Sequence, residues 1–187
     1  MAVIGGNVSM ARSFIIAGGG TGGHLYPALA IGSELQKRSD ANVHYVGSTF
    51  GIEADKLPNL NVDHTLLPIR GLQRSFSLQS LGRNALLPSR ILASKMKTNK
   101  LFDDLEPSAV IGTGGYASAL PLHTAVKKGI PVFLQEQNSY PGITTRHFAE
   151  SAEIVFTAFP EIDGLIKKKT VSWPATRSGR TLLMGNA

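Results

Sequence analysis

Twice in this chain a short apolar run stops at a cluster of glycines and gives way to a segment with helical spacing. The first unit is Ser13-Phe-Ile-Ile-Ala17 followed by Gly18-Gly-Gly-Thr-Gly-Gly-His24; the second is Ala109-Val-Ile111 followed by Gly112-Thr-Gly-Gly115. Short apolar runs that end in glycine have the pattern of strands buried on both faces, as in parallel sheets. After the first, Leu25, Ala28, Leu29, Ile31 and Leu35 line one face of a helix predicted over 24–38, with Pro27 in its first turn, where a missing N–H is harmless. After the second, a helix is predicted over 116–128, closed by Gly129. Further strands are predicted at Asn42–Val46, ending in Gly47-Ser48, and at Val62–Leu67, Pro131–Leu134 and Glu153–Phe156; residues 78–105 read as mostly helical, broken near Pro88. Alternating strands and helices imply an α/β fold: a Rossmann-like parallel sheet with helices on both faces. The two units share a design, but there is no strict internal repeat.

In such a sheet ligands bind beyond the carboxyl ends of the strands, where both glycine loops would lie. A helix N-terminus offers unpaired N–H groups and partial positive charge, and glycine lets an anion approach the backbone closely. Two such loops on one edge fit a diphosphate gripped from two sides. Gly18, Gly20 and Gly23 also satisfy the weak dinucleotide fingerprint G-x-G-x-x-G. That reading, an NAD-type oxidoreductase, wants an acid at the end of the second strand for the ribose. The sequence there is Val46-Gly-Ser-Thr49, and Glu53 falls further on, on the next helix.

Composition narrows the class. The 187 residues suffice for one ordinary domain, and 42% hydrophobic with 17% charged residues fits a globular chain. Without cysteine there are no disulfides or thiolate metal sites. The apolar run at 14–17 is too short for a signal peptide or membrane span. The net charge of +6 calls for an anionic partner. No Asp or Glu occurs from Pro68 to Phe102, while Arg70, Arg74, Arg83, Arg90, Lys95, Lys97 and Lys100 all fall there. Between 83 and 100 these cations mix with Leu86, Leu87, Ile91, Leu92 and Met96, a composition suited to lying on an anionic bilayer, with Arg83, Arg90, Lys95 and Lys97 facing it. The alternative is a helix packed on the sheet with its charges solvated. Nucleic acid is not expected, since aromatics are sparse and no recognition motif appears. His44, His64, His123 and His147 belong to no motif, and no pair has metal-ligand spacing.

The combination of Gly18-Gly-Gly-Thr-Gly-Gly-His24, Pro27-Ala-Leu-Ala30, Gly112-Thr-Gly-Gly-Tyr-Ala-Ser118 and Gln135-Glu-Gln-Asn138 is far more specific than either loop. With the shorter matches Val46-Gly-Ser48, Gly51-Ile-Glu53, Ile69-Arg-Gly-Leu72 and Ala158-Phe-Pro160, it closely resembles the peptidoglycan N-acetylglucosaminyltransferases of glycosyltransferase family 28, from about 13 to about 160. The resemblance implies the N-terminal half of a GT-B enzyme, peripheral to the cytoplasmic face of the bacterial plasma membrane. This half receives the lipid-linked acceptor, lipid I, and a second domain holds most of the donor, UDP-N-acetylglucosamine (UDP-GlcNAc). The MurNAc 4-hydroxyl attacks the anomeric carbon, UDP leaves with inversion, and no cofactor or tightly bound metal is needed.

On this chain the resemblance implies His24 as the candidate base, a role suited to an imidazole titrating near neutrality; packing of the helix entry is its alternative role. Thr21, Gly22 and Gly23 would approach the donor, as would Asn138, whose amide both donates and accepts. Gly20, Gly114, Gly115 and Tyr116 would hold the acceptor diphosphate. Glu136 would assist proton transfer or orient its neighbours.

Residues 1–12 are expected to be a leader, 13–168 the acceptor-side domain, and 169–187 an aberrant tail. The family pattern Gly-Asn-Pro-Val-Arg is expected near that tail, where this chain reads Val171-Ser-Trp-Pro-Ala-Thr-Arg-Ser-Gly-Arg180. In the frame starting at the third base of each codon from Trp173, the codons from Pro174 to Ser178 can spell that pattern. This points to a frameshift near 168–172, with truncation or a recombinant end as alternatives. Without the second domain, little or no transferase activity is expected; a non-catalytic lipid-binding remnant is the other reading.

Overall fold

The alternating pattern becomes a sheet of seven parallel strands in the order β3-β2-β1-β4-β5-β6-β7. The structure, a computed structural model, describes residues 12–71, 87–166 and 170–172. The strands are β1 (Ser13–Gly18), β2 (Asn42–Ser48), β3 (His64–Leu67), β4 (Ala109–Gly114), β5 (Val132–Glu136), β6 (Ile154–Thr157) and β7 (Thr170–Ser172). The helices are α1 (Gly22–Ser39), α2 (Glu53–Asn59), α3 (Leu87–Leu105), α4 (Ala119–Lys128) and α5 (Ile143–Phe148). Strand β1 pairs with both β2 and β4. The chain therefore winds outward from β1 in both directions, and the β1/β4 boundary is the point where strand order reverses.

Side-chain alternation divides the core between the two faces of the sheet. Ile15, Ala17, Val46, Val110, Val132 and Leu134 pack with Phe102 of α3, Leu122 and Ala125 of α4 and Phe148 of α5. Ile16, Val43, Tyr45 and Ile111 pack with Leu25 and Ala28 of α1 and Leu57 of α2. Helices thus cover both faces, which is why the strands read as continuous apolar runs.

Several boundaries differ from the sequence expectation. Helix α1 starts at Gly22, so Pro27 sits in its second turn and leaves the Gly23 carbonyl without its usual i+4 donor. Strand β3 begins at His64, although the Asp63 carbonyl still accepts from the Tyr45 N–H. Strand β5 runs on through Glu136. A 3₁₀ turn at Tyr116–Ser118 precedes α4, which ends at Gly129 in the left-handed conformation, φ 68°. Helix α3 is described from Leu87, with Pro88 in its first turn; the predicted helical residues 78–86, and with them the predicted break near Pro88, lie outside the described residues. Helix α5 was not anticipated, because its six residues carry no apolar stripe. Thr170–Ser172 lie beyond the boundary expected at 168, yet they pair in parallel with β6. The expected leader, apart from Arg12, and residues 173–187 lie outside the described residues.

Candidate functional site

The two glycine loops meet at the β1/β4 switch point. A register shift between Ala17 and Gly18 leaves Thr113 as the extra residue of β4. A Cβ on Gly18 would land on the Thr113 hydroxyl, so glycine is needed there. That hydroxyl donates to the His24 carbonyl at 2.8 Å, joining the second strand–loop unit to the first turn of α1. The Gly19 N–H donates to the Gly114 carbonyl at 3.4 Å, and a Cβ on Gly115 would land on the Gly19 carbonyl oxygen. Gly114 and Gly115 have φ of 102° and 77°, which side chains rarely tolerate. The loops therefore touch backbone to backbone.

His24 lies on this junction. Its ring atoms Cδ2 and Nε2 are 2.7 and 3.0 Å from where a Gly114 Cβ would stand, and Nδ1 is 3.2 Å from that of Gly115. Nδ1 pairs with the Thr21 hydroxyl at 3.1 Å. Nε2 has no protein partner among the described residues. Thr21 occupies the N-cap position of α1 without capping it, because its hydroxyl is turned to His24. The N–H groups of Gly22 and Gly23, at the helix N-terminus, have no acceptor among the described residues.

The sequence reading missed what occupies the inner side of the first loop. Glu53 is completely buried, and its carboxylate accepts from the Gly20 N–H at 3.0 and 2.9 Å and from the Ser48 N–H at 2.9 Å. A Cβ on Gly19, Gly47 or Gly51 would collide with this carboxyl group. Three glycines and two donors thus build a slot for an internal anion, and the Gly20 N–H is not available to a phosphate. The signal was present in the sequence as an acid among glycines, Gly47-Ser-Thr-Phe-Gly-Ile-Glu53. The dinucleotide reading also fails here, since Glu53 faces the glycine loop and is closed to a ribose.

Glu136 plays a comparable part beyond β5. It is 2% exposed, and it accepts from the Asn138 N–H at 3.0 Å, the Asn138 side-chain amide at 2.9 Å, the Gly142 N–H at 2.9 Å and the Thr145 hydroxyl at 2.6 Å. The carboxylate shapes the 137–142 loop and the start of α5. It also leaves the exposed Asn138 amide with its oxygen free to accept. Thr144 ties α5 to the second loop by donating to the Gly115 carbonyl at 3.1 Å.

On the β2 side, the Tyr116 ring lies 3.1 Å from the Cβ position of Gly20 and 3.3 Å from that of Gly71. Its hydroxyl approaches the Ser48 hydroxyl at 3.5 Å. Gly20, Gly114, Gly115, Tyr116, Thr21 and His24 are thus brought together, with Gly22 and Gly23 beside them at the start of α1.

The described members of the expected membrane-facing cations have different surroundings. The Arg90 guanidinium lies over the Phe50 ring, Lys97 donates to the Leu66 carbonyl at 2.9 Å, and Lys95 lines a groove of about 350 Å³ with Asn99, Asp103 and His123. Arg83 lies outside the described residues. Helix α3 buries Ser94, Thr98 and Phe102, while Leu92 and Met96 are 60% and 66% exposed. No helix among the described residues is long and apolar enough to cross a membrane.

A parallel sheet with helices on both faces and two glycine loops at its switch point defines a Rossmann-like α/β domain. The sequence profile of the glycosyltransferase family 28 N-terminal domain matches residues 14–157, and the chain belongs to that family. It is 40% identical over 159 residues to the UDP-N-acetylglucosamine--N-acetylmuramyl-(pentapeptide) pyrophosphoryl-undecaprenol N-acetylglucosamine transferase of Christiangramia forsetii, covering 84% of this chain and 42% of the relative. The Chlorobaculum tepidum protein of the same name is 42% identical over 148 residues, covering 79% and 41%. The crystal structure of Acinetobacter baumannii MurG superposes with a TM-score of 0.69 at 28% identity, over 86% of this chain and 45% of that one. The chain spans less than half the length of these relatives.

Proposed function

We propose that this chain is the acceptor-side part of a transferase that moves N-acetylglucosamine from UDP-GlcNAc to the MurNAc 4-hydroxyl of undecaprenyl-diphosphate-linked MurNAc-pentapeptide. The observation that carries the reading is His24: its ring lies on the contact between the two glycine loops, with Nδ1 paired to Thr21 and Nε2 without a partner among the described residues. With Nδ1–H donating to the Thr21 hydroxyl, Nε2 holds the lone pair and is the general base. It takes the proton of the 4-hydroxyl as that oxygen bonds to the anomeric carbon; the bond from that carbon to the UDP oxygen breaks, and the sugar inverts.

The open N–H groups of Gly22 and Gly23, with Thr21, face the donor at a helix N-terminus suited to anionic oxygens. Asn138, oriented by Glu136, receives a donor-sugar hydroxyl; Glu136 acts through Asn138, because its own oxygens are occupied. Gly114, Gly115 and Tyr116 border the acceptor diphosphate, and Gly20 gives it room rather than a donor. The rest of the donor site belongs to a second domain, as expected for a chain matching only part of its relatives. The protein works as a peripheral protein on the cytoplasmic face of the bacterial plasma membrane, where exposed Leu92 and Met96, beside Lys95 and Lys100, meet the lipid surface.

The test is calorimetric titration of the chain with a short-chain analogue of the lipid-linked MurNAc-pentapeptide. Saturable binding that needs both sugar and diphosphate supports the reading. Equal binding of a simple anionic detergent contradicts it.

A further inference from the structure

The candidate acceptor site leaves its charge balance open. Cationic donors strengthen diphosphate binding beyond what backbone N–H groups supply, and the Gly20 N–H is already bonded to Glu53. Two cations lie on the β2–β3 side. The Arg70 guanidinium carbon is 4.1 Å, and that of Arg90 4.9 Å, from the centre of one ring, Phe50. No carboxylate pairs with either arginine among the described residues. A cation–π contact of this kind consumes none of the N–H donors of a guanidinium, so both keep theirs for an anion. Holding two like charges against one ring is unfavourable unless a counter-charge joins them.

The cluster adjoins the site through a continuous set of contacts. Phe50 is 39% exposed, and its N–H donates to the Ser48 hydroxyl at 3.0 Å; that hydroxyl donates to the Ile69 carbonyl at 2.6 Å and lies 3.5 Å from the Tyr116 hydroxyl. Arg70 is followed by Gly71, where a Cβ would be 3.3 Å from the Tyr116 ring. The two arginines thus arrive from different elements, one after β3 and one in the first turn of α3, on the side of the glycine loops where Tyr116 packs.

We infer that Arg70 and Arg90, presented by Phe50, bind the phosphate oxygens of the lipid-linked acceptor and set its position relative to His24. This rests on the acceptor-side reading above and names the residues that carry its charge recognition. Guanidinium is suited to the task because its planar donors engage phosphate oxygens in pairs.

The experiment is titration of the full chain with farnesyl diphosphate below its micelle concentration, with inorganic pyrophosphate and with phosphatidylglycerol vesicles as separate arms. Arg70→Gln and Arg90→Gln are each expected to weaken farnesyl diphosphate about tenfold, the scale of one charge-assisted hydrogen bond. Arg70→Lys and Arg90→Lys should restore part of the loss, and Phe50→Leu should weaken binding while keeping both charges. Unfolding curves confirm that each variant is folded. Unchanged diphosphate binding in both glutamine variants, with loss in Gly115→Ala, overturns the inference while the acceptor reading survives. Loss confined to the vesicle arm also overturns it, since the pair would then serve a phospholipid surface. An unsubstituted chain that binds no diphosphate overturns both.

Discussion

Glu53→Gln is the sharpest perturbation of the first glycine loop, because it changes charge and donor pattern while keeping volume. In the native protein both carboxylate oxygens accept from Gly20 N, and Oε1 also accepts from Ser48 N at 2.9 Å. In the glutamine variant one oxygen can still serve Ser48, but the side-chain NH₂ then faces the Gly20 N–H, donor against donor, where an oxygen stood 2.9 Å away. Charge-assisted hydrogen bonds contribute about 1.5–3 kcal/mol each and neutral ones about 0.5–1.5. Downgrading the Ser48 bond and reversing half of the Gly20 contact should remove about 2–4 kcal/mol, a large fraction of the roughly 5–15 kcal/mol that stabilises a domain. Complete burial of the residue means that water cannot substitute. Urea unfolding followed by circular dichroism measures this: the midpoint should fall with little change in slope. A loss below about 0.5 kcal/mol, smaller than one neutral hydrogen bond, would refute the view that this carboxylate holds the loop.

Other consequences follow from the same geometry. Gly32→Ala in α1 should destabilise despite better helix propensity: the new Cβ lands on the Tyr45 hydroxyl, 2.7 Å from its Cζ and 3.0 Å from Val43, so overpacking of about 1–3 kcal/mol outweighs a gain of about 1 kcal/mol, read as a lower thermal midpoint. Burial holds the His44 imidazole below its usual value, with Asp63 opposing and His64 reinforcing. Its contribution to stability is therefore complete above the unfolded-state pKa of about 6.5 and lost as pH falls through the lower folded value. His44→Gln should flatten that acid limb in urea midpoints taken between pH 8 and 5. In a transfer assay with the donor-side half supplied by fusion to a relative, His24→Ala should lower kcat by about 10²–10⁴-fold with acceptor affinity nearly unchanged. A matching loss of affinity would instead make His24 a binding residue.

Much of this architecture was legible because strand burial on two faces and glycine at strand ends leave marks in one dimension. Ile15 and Ile16 point to opposite faces, and both are buried, so β1 had to be an inner strand. The meeting of the Gly18–Gly20 and Gly114–Gly115 loops was foreseeable once β1 and β4 became neighbours, but their direct backbone contact was not. Thr113 owes its role to a register shift between strands far apart in sequence, which periodicity cannot reveal. Glu53 was passed over for a similar reason: its partner Gly20 lies 33 residues away, and an acid on a short helix reads as a surface group. Helix α3 carries side-chain contacts that its sequence does not reveal. Its cations look like one amphipathic face, yet Arg90 turns to Phe50 and Lys97 to the Leu66 carbonyl, while small polar Ser94 and Thr98 fill the buried side.

The central claim is that the junction of the two glycine loops receives the sugar-diphosphate acceptor. The most direct measurement is backbone amide chemical-shift mapping of the isotope-labelled chain during titration with a short-chain MurNAc-pentapeptide diphosphate lipid. The account predicts saturable shifts concentrated at Gly20–His24 and Gly114–Tyr116, accompanied by the His24 ring signals. Saturation with shifts confined to α3 and α4, leaving both loops unmoved, would contradict it.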